Sequence, residues 1–139
     1  MKQLLGLFFS RKGDEFAETA IAMPAIVLIT IALMNLTLAG FASVNANNAA
    51  NYGARVGSVT QQGAGGAAYS AAMTSISHAP VGDYSVGVSG GGFPGAQITV
   101  QVDWRVPNYM GSLLAFVGGG GLSGDIEGSS ASVFRQEGW

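Results

Sequence analysis

Hydrophobic residues are concentrated in one long run near the start of the sequence. Ile, Leu, Met, Val and Ala fill most of the 26 residues from Thr19 to Val44, and no formal charge occurs between Thr19 and Ala54. A helix rises about 1.5 Å per residue, so about 20 residues cross a hydrocarbon core about 30 Å thick. The run therefore predicts a transmembrane segment at about residues 19–44, within a longer hydrophobic helix over residues 14–58.

Two other origins of such a run are weaker. The core helix of a soluble protein must be surrounded by the rest of the chain, and only about 90 other residues remain for that purpose. A cleaved secretory signal has an apolar region of about 7–15 residues, followed by a small-residue cleavage site. This run is longer, and FASVNA at its far end is only a weak match to such a site.

A stripe of very small residues follows the apolar run. Ala46, Ala49, Ala50 and Gly53 recur at i, i+3, i+4 and i+7, which places them on one face of a helix. Small side chains let helices approach closely. The stripe predicts packing against other subunits or against the rest of the chain, although a merely Ala-rich helix has the same composition. Gly57 is a candidate end of this helix.

The remaining sequence combines periodic segments with glycine-rich turns. The spacing of small and apolar residues predicts a second helix at residues 67–79, ended by Pro80, after a turn or linker at residues 61–66. Strict alternation of apolar and polar residues predicts a half-buried antiparallel strand at residues 97–106. The apolar face of this strand needs a cover, which the second helix or the long helix can supply.

Weaker patterns complete the predicted fold. Residues 83–88 and roughly 122–136 are candidate strands, and residues 110–121 fit either a short helix or a hydrophobic loop. Together these segments predict an α+β protein. In it, a long N-terminal transmembrane helix precedes a small domain, residues 59–139, with a short helix and an antiparallel β-sheet.

The composition lies toward the membrane side of the usual protein classes. Of 139 residues, 48% are hydrophobic and only 10% are charged, and the mean hydropathy is positive. The chain has no cysteine, which excludes disulfides and thiolate metal sites. A domain outside the cytoplasm would therefore be held together by packing alone.

Residues that commonly carry catalysis are sparse. His78 is the single histidine and has no acidic residue after it until Asp83. The glycine groups at residues 90–92 and 118–121 lack the lysine and the Ser or Thr of a phosphate-binding loop. The sequence therefore gives no basis for an enzyme or for a cofactor site.

A metal site has equally little support. Asp125 and Glu127 could contribute to a calcium loop in GLSGDIEGSS, but their spacing is unlike that of an EF-hand. A histidine without cysteine partners does not form a typical zinc site. We therefore expect no metal.

Charges that flank the apolar run predict its orientation. Lys2, Arg11 and Lys12 precede the run, and the next basic residue is Arg55. Lys and Arg near a span are retained preferentially on the cytoplasmic side. We therefore expect a single-pass protein with its N-terminus in the cytoplasm and its C-terminal part across the membrane.

Glu18 stands at the edge of the apolar run, where a carboxylate is costly unless a positive group pairs with it. Gly13 lies five residues upstream, in the cluster RKGDEFAE. A cut after Gly13 would make Asp14 the first residue, and its new α-amino group would stand at i to i+4 from Glu18. Gly13 can also be a flexible joint, and Glu18 a first-turn acid favoured by the helix dipole.

This pattern resembles the type IV prepilins and pseudopilins, in which a short basic leader ends in glycine and a glutamate follows five positions later. More specifically, ETAIAMP, with Pro24 six residues after Glu18, is similar to the E-x-x-x-x-x-P spacing of the TadE-like proteins of tight-adherence (Tad) pili. The segments NNAANYGARVGSV, ITVQVDWRVP and SSASVFRQEGW resemble later parts of that family. Taken alone, Pro24 would indicate only a bend in the span.

The resemblance implies a function, partners and locations. A prepilin peptidase would remove the basic leader, residues 1–13, by cutting between Gly13 and Asp14. Glu18 would then serve assembly by pairing with the new N-terminus, and residues 59–139 would form an extracytoplasmic pilin-like domain. The implied partners are membrane lipid, other pilin-like subunits and an inner-membrane assembly platform. The protein would first occupy the bacterial inner membrane, then the periplasm or an extracellular pilus, and would act in pilus biogenesis and cell adhesion.

Binding of nucleic acid is not expected. Loss of residues 1–13 removes three of the six basic residues and none of the eight acids, which leaves a net charge of 3 − 8 = −5 before the termini are counted. An acidic module does not attract phosphates. The alternative to a pilin-like subunit is an unprocessed single-span protein whose small outer domain binds another envelope component.

Overall fold

The computed structural model describes residues 11–116, 118 and 124–138, with only the backbone described at residues 11–15 and 116. Residues 1–10 of the predicted leader lie outside the described part of the chain. The same holds for residues 117, 119–123 and 139.

Three helices and three strands follow one another in the described residues. They are α1 (Arg11–Val59), α2 (Ala64–Ile76), β1 (Asp83–Gly90), β2 (Gln97–Val106), α3 (Tyr109–Phe116) and β3 (Ile126–Arg135). The strands form one antiparallel sheet in the order β1-β2-β3. The predicted α+β class, with a long N-terminal helix ahead of a small domain of helix and sheet, is confirmed.

The chain divides into two compact units within α1. The first ends at Met34, and its described residues are the N-terminal part of α1. The second begins at Asn35 and contains the rest of α1 together with all later elements. We call residues 11–34 the helical arm and residues 35–138 the sheet domain.

The central strand of the sheet is β2, and it occupies the predicted residues 97–106. Four of its apolar residues are fully buried: Ile98, Val100, Val102 and Val106. The intervening Gln101 and Arg105 are exposed. Because successive side chains of a strand point to opposite faces, one face of the sheet packs in the core and the other meets solvent.

Small residues of both helices cover the apolar face of the sheet. They are Ala46, Ala49, Ala50 and Ala54 of α1 and Ala64, Ala68 and Ala72 of α2, with Ile76 at the end of α2. At Gly53, an added Cβ would stand only 2.7 Å from the carbonyl oxygen of Ala68. The sequence-predicted stripe of Ala46, Ala49, Ala50 and Gly53 is therefore packed inside this chain's own sheet domain, which leaves no room on that face for another subunit.

The boundaries of α2 differ from the predicted residues 67–79 by three positions at each end. Gly63, with φ of +69°, precedes the helix, and Ala64 is packed in the core with 3% of its surface exposed. The last residues of the predicted linker thus form the first turn, because burial compensates for a glycine-rich sequence. The helix ends at Ile76. Pro80 disfavours helical geometry in the residue before it, so the helix cannot reach the predicted end.

Other boundaries also shift. The segment that fitted either a helix or a loop is helical in α3, and β1 extends two residues beyond the predicted 83–88. Gly57 does not end α1, which continues to Val59. Gly57 is instead a contact point, since an added Cβ would lie 2.8 Å from the Cβ of Ala68.

Gln136 closes the sheet domain at the end away from the helical arm. Its amide oxygen accepts a hydrogen bond from the backbone N–H of Gly92 at 3.0 Å. Its amide nitrogen donates to the carbonyl oxygens of Thr60 at 2.9 Å and Gln61 at 3.3 Å. Only 2% of Gln136 is exposed. The side chain thus joins the segment after β3 to the end of α1 and to the β1–β2 connection.

Candidate membrane and assembly site

Large apolar side chains of the helical arm are exposed. Phe16 and Ile21 are each 78% exposed, and Ile29 is 60% exposed. From Phe16 onward, α1 is long and apolar enough to cross a membrane, and only 6% of its most apolar window is buried. A soluble core helix would be mostly buried, whereas a signal sequence near the N-terminus has a similar composition. The arm is therefore the candidate membrane anchor, by its length, composition and exposure.

The residues of the predicted cleavage and assembly pattern all fall on this arm. The backbone of Gly13 and Asp14 is helical, so the predicted scissile bond lies within α1. Glu18 is exposed, and none of the described side chains forms a salt bridge with it. Pro24 lies inside the helix, where it removes one backbone hydrogen bond. In one helix, residue 14 and Glu18 are four positions apart and lie on the same face.

Asn35 marks the point at which α1 enters the sheet domain. It is 7% exposed. Its amide nitrogen donates to Oδ1 of Asn108 at 2.9 Å, and its Oδ1 accepts from the backbone N–H of Tyr109 at 3.1 Å. Oδ1 of Asn108 also accepts from the N–H of Gly111 at 3.0 Å, as an N-terminal helix cap does. These bonds attach the start of α3 to α1.

Sequence reasoning did not identify this pair of asparagines. The available signal was Asn35 itself, an amide in the middle of an uncharged apolar run, where polar groups need a partner. Its partner lies 73 positions away. No local pattern links the two.

A second face of α1 carries exposed apolar residues along the sheet domain. They are Phe41 (59% exposed), Val44 (58%), Tyr52 (53%) and Val59 (51%). At 100° per residue, these positions lie on the side of the helix opposite the buried Ala stripe. The chain's own domain covers one side of α1 and leaves this side to solvent or to a neighbour.

Charged side chains gather on the solvent face of the sheet, at the end from which α3 emerges. An Nη of Arg105 lies 2.6 Å from a carboxylate oxygen of Glu127, and its Nε lies 3.9 Å from Asp125. A depression of about 500 Å³ follows this face, bordered also by Asp83 and Asp103. Because these side chains are about half exposed, the ion pairs contribute little to stability. The two acids once considered for a calcium loop are paired with a guanidinium instead.

The single histidine belongs to a helix end. Nδ1 of His78 lies 3.2 Å from the carbonyl oxygen of Thr74 and 3.1 Å from the Ser77 hydroxyl, and the residue is exposed. Over the part of the chain that the structure describes, no group of three or more potential metal ligands occurs. This histidine has the environment of a surface residue.

An α+β protein with one exposed apolar helix is thus the class that the fold and the site define. No protein-family model, no curated protein and no solved structure matches the chain significantly.

Proposed function

We propose that the chain is a structural component of a Tad-type type IV pilus, a minor pilin or pseudopilin similar to the TadE-like proteins. The observation that carries the proposal is the exposed apolar helical arm. It contains the Gly13/Glu18 pattern and belongs to the helix that packs on the sheet domain. This arrangement suits a subunit that is stored in a membrane and later packs into a filament through the same helix.

Proteolysis would supply a partner for Glu18. A cut between Gly13 and Asp14 creates an α-amino group four residues before Glu18, within reach in one helix. Its positive charge offsets the cost of a carboxylate at the edge of the lipid. The same pair can also form between two staggered neighbouring helices, which would link processing to assembly.

Gly13 has a physical role in this step. The bond after it lies in the helical backbone of α1, so the peptidase must unwind the helix locally to hold the bond in extended form. Glycine destabilises a helix by about 0.5–1 kcal/mol relative to alanine. The helix is therefore easiest to open at this position.

The uncovered face of α1 offers a surface for lateral packing. Phe41, Val44, Tyr52 and Val59 are more than half exposed there, while the opposite face is occupied by the sheet domain. Burial of apolar area against a neighbouring helix is favourable by about 25 cal/mol per Å². Pro24 would adjust the course of the arm beside such a neighbour.

The proposed locations and partners follow from the charges. The N-terminus with its leader lies in the cytoplasm, the arm in the inner membrane, and the sheet domain on the outer side, until the subunit enters the pilus. The partners are the prepilin peptidase, the inner-membrane platform, other pilin-like subunits and lipid. Adhesion is served through the assembled pilus.

Assembly of Glu18 variants tests the proposal. In cells with a functioning tight-adherence machine, Glu18→Gln should still be cut, because the bond after Gly13 is unchanged. Loss of a pairing worth about 1.4 kcal/mol would reduce its incorporation into sheared filaments about tenfold. Glu18→Asp keeps the charge and should retain part of the incorporation. The measurement is the amount of each variant in the filament and membrane fractions.

The matched control is Glu137→Gln, which removes an exposed acid from the sheet domain. It should be incorporated like the unchanged protein. Normal filament levels of both Glu18→Gln and Glu18→Ala would contradict the proposed charge pairing.

A further inference from the structure

The short helix α3 is apolar and without charge. Its sequence is YMGSLLAF, and no charged residue occurs from Pro107 to Gly118. Tyr109 is 43% exposed, and Met110, Leu113 and Leu114 are only partly buried. The sheet domain therefore leaves part of an apolar surface helix uncovered.

The hydrogen bonds of Asn35 fix where this helix lies. Asn35 bonds both to Asn108 and to the backbone of Tyr109, so α3 begins beside this residue of α1. Leu36, the next residue of α1, is 70% exposed and extends the apolar surface. The uncovered surface of α3 is thus continuous with the apolar exterior of α1.

The length of the exposed arm places this junction at a membrane boundary. From Phe16 to Asn35 there are 20 residues, and a helix of about 20 residues spans a hydrocarbon core of about 30 Å. In that interval Asn35 is the first residue of α1 that the sheet domain buries. A span that starts at Phe16 therefore ends where α3 is attached, about nine residues before the end predicted from sequence at Val44.

We propose that α3 is an interfacial helix that lies on the outer leaflet of the bilayer crossed by α1 and inserts its apolar side chains into that leaflet. This inference rests on the membrane anchor of the proposed function. Tyrosine is favoured at the level of the lipid headgroups, where Tyr109 stands. Apolar side chains of a surface helix bury a few ångströms into the headgroup and acyl boundary.

The charges around α3 indicate which lipid it contacts. At the same end of the sheet, Asp83, Asp103, Asp125 and Glu127 outnumber the single Arg105. A net negative surface is repelled by anionic lipid and tolerated by zwitterionic headgroups. Contact therefore depends on apolar insertion and takes place with zwitterionic lipid.

Two attachments to one bilayer have a consequence for the domain. A single helix leaves the outer domain free to rotate about the span and to change its depth. A second contact at α3 fixes both, and it holds the uncovered face of α1 in a constant orientation toward neighbours in the membrane.

Spin labels on single cysteines test the inference, and the absence of native cysteine makes each label unique. Ser112→Cys, Leu113→Cys, Leu114→Cys and Ala115→Cys sample every side of one turn of α3. Ala25→Cys in the arm and Ala131→Cys on the solvent face of β3 are the lipid and water references, and both alanines are exposed. The full chain is studied in phosphatidylcholine vesicles, by collision with oxygen and with a water-soluble nickel complex.

We expect at least one of the four α3 labels to have an oxygen-to-nickel accessibility ratio several-fold above that at position 131. The ratio should vary around the turn and should stay below that at position 25. If all four α3 labels match position 131 while position 25 lies in lipid, the inference is wrong and the anchor stands. If position 25 also matches position 131, the anchor and the inference fail together.

A second copy of the chain is the other possible occupant of this surface. In that case the α3 labels would be shielded from both oxygen and nickel. They would also show spin–spin broadening that disappears when labelled chain is diluted with unlabelled chain. That result would overturn contact with lipid.

Discussion

A single buried amide, that of Gln136, holds three separate segments of the sheet domain together. It accepts from Gly92 and donates to the carbonyls of Thr60 and Gln61, at 2% exposure. A hydrogen bond adds about 0.5–1.5 kcal/mol to stability, and a buried group left without its partner costs about 1–3 kcal/mol. The amide is therefore worth more than any of the exposed ion pairs at the other end of the sheet.

Replacement of Gln136 by leucine should lower the free energy of unfolding by about 2–3 kcal/mol, because the backbone groups it serves are left without a partner. The measurement is urea unfolding in detergent, followed by tryptophan fluorescence. Gln101→Leu, on the exposed face of β2, is the matched control and should change stability by less than about 0.5 kcal/mol. Equal effects of the two variants would show that the buried amide has no special role.

Sequence showed some of these residues and concealed others for a physical reason. Gly13, Glu18 and Pro24 lie within 12 positions of one another, so their spacing is visible along the chain. Gln136 bonds across 75 and 76 positions to the end of α1, and Asn35 across 73 to Asn108. Such pairs form only after the sheet has brought the segments together, and no local periodicity predicts them.

At the scale of elements, contact between α1 and α2 depends on the absence of side chains. An added Cβ at Gly53 would meet the Ala68 carbonyl oxygen at 2.7 Å and the Ala72 Cβ at 2.9 Å. At Gly66 of α2, nothing lies within 4 Å of an added Cβ. The two helical glycines therefore serve different purposes, although both are glycines in a small-residue sequence.

Substitution by alanine should affect these glycines in opposite directions. Alanine is favoured over glycine in a helix by about 0.8–1.0 kcal/mol, so Gly66→Ala should stabilise the domain by up to that amount. At Gly53 the clash with backbone outweighs this gain, and overpacking of a core costs about 1–3 kcal/mol. Thermal unfolding of both variants measures the difference, and a stabilising Gly53→Ala would contradict the close packing of α1 on α2.

Periodicity predicted the elements as far as each periodic signal extended. The ten residues of β2 alternate without interruption, and its bounds at 97–106 were predicted correctly. The start of α2 lies in QQGAGG, whose glycines favour a turn, and only packing of Ala64 in the core makes this segment helical. Local pattern therefore predicted the type of element, while tertiary burial decided where the helix begins.

At the scale of the whole molecule, the two units have opposite solvent preferences. The helical arm exposes large apolar side chains, whereas the sheet domain buries an alanine-rich core and shows polar residues on the outer face of its sheet. An anchored pilin-like subunit accounts for this contrast, because the arm is buried first by lipid and later by neighbouring helices. An uncut anchored protein accounts for the first burial alone.

The identity of the first residue of the chain in its native envelope tests the central claim most directly. With an active prepilin peptidase present, N-terminal sequencing and intact mass should show a chain that begins at Asp14, without residues 1–13. Gly13→Ala should remain uncut, and Gly40→Ala, on an exposed part of α1 with nothing within 4 Å of an added Cβ, should be cut normally. A chain that still begins at Met1 would contradict the account and leave only a single-span anchor.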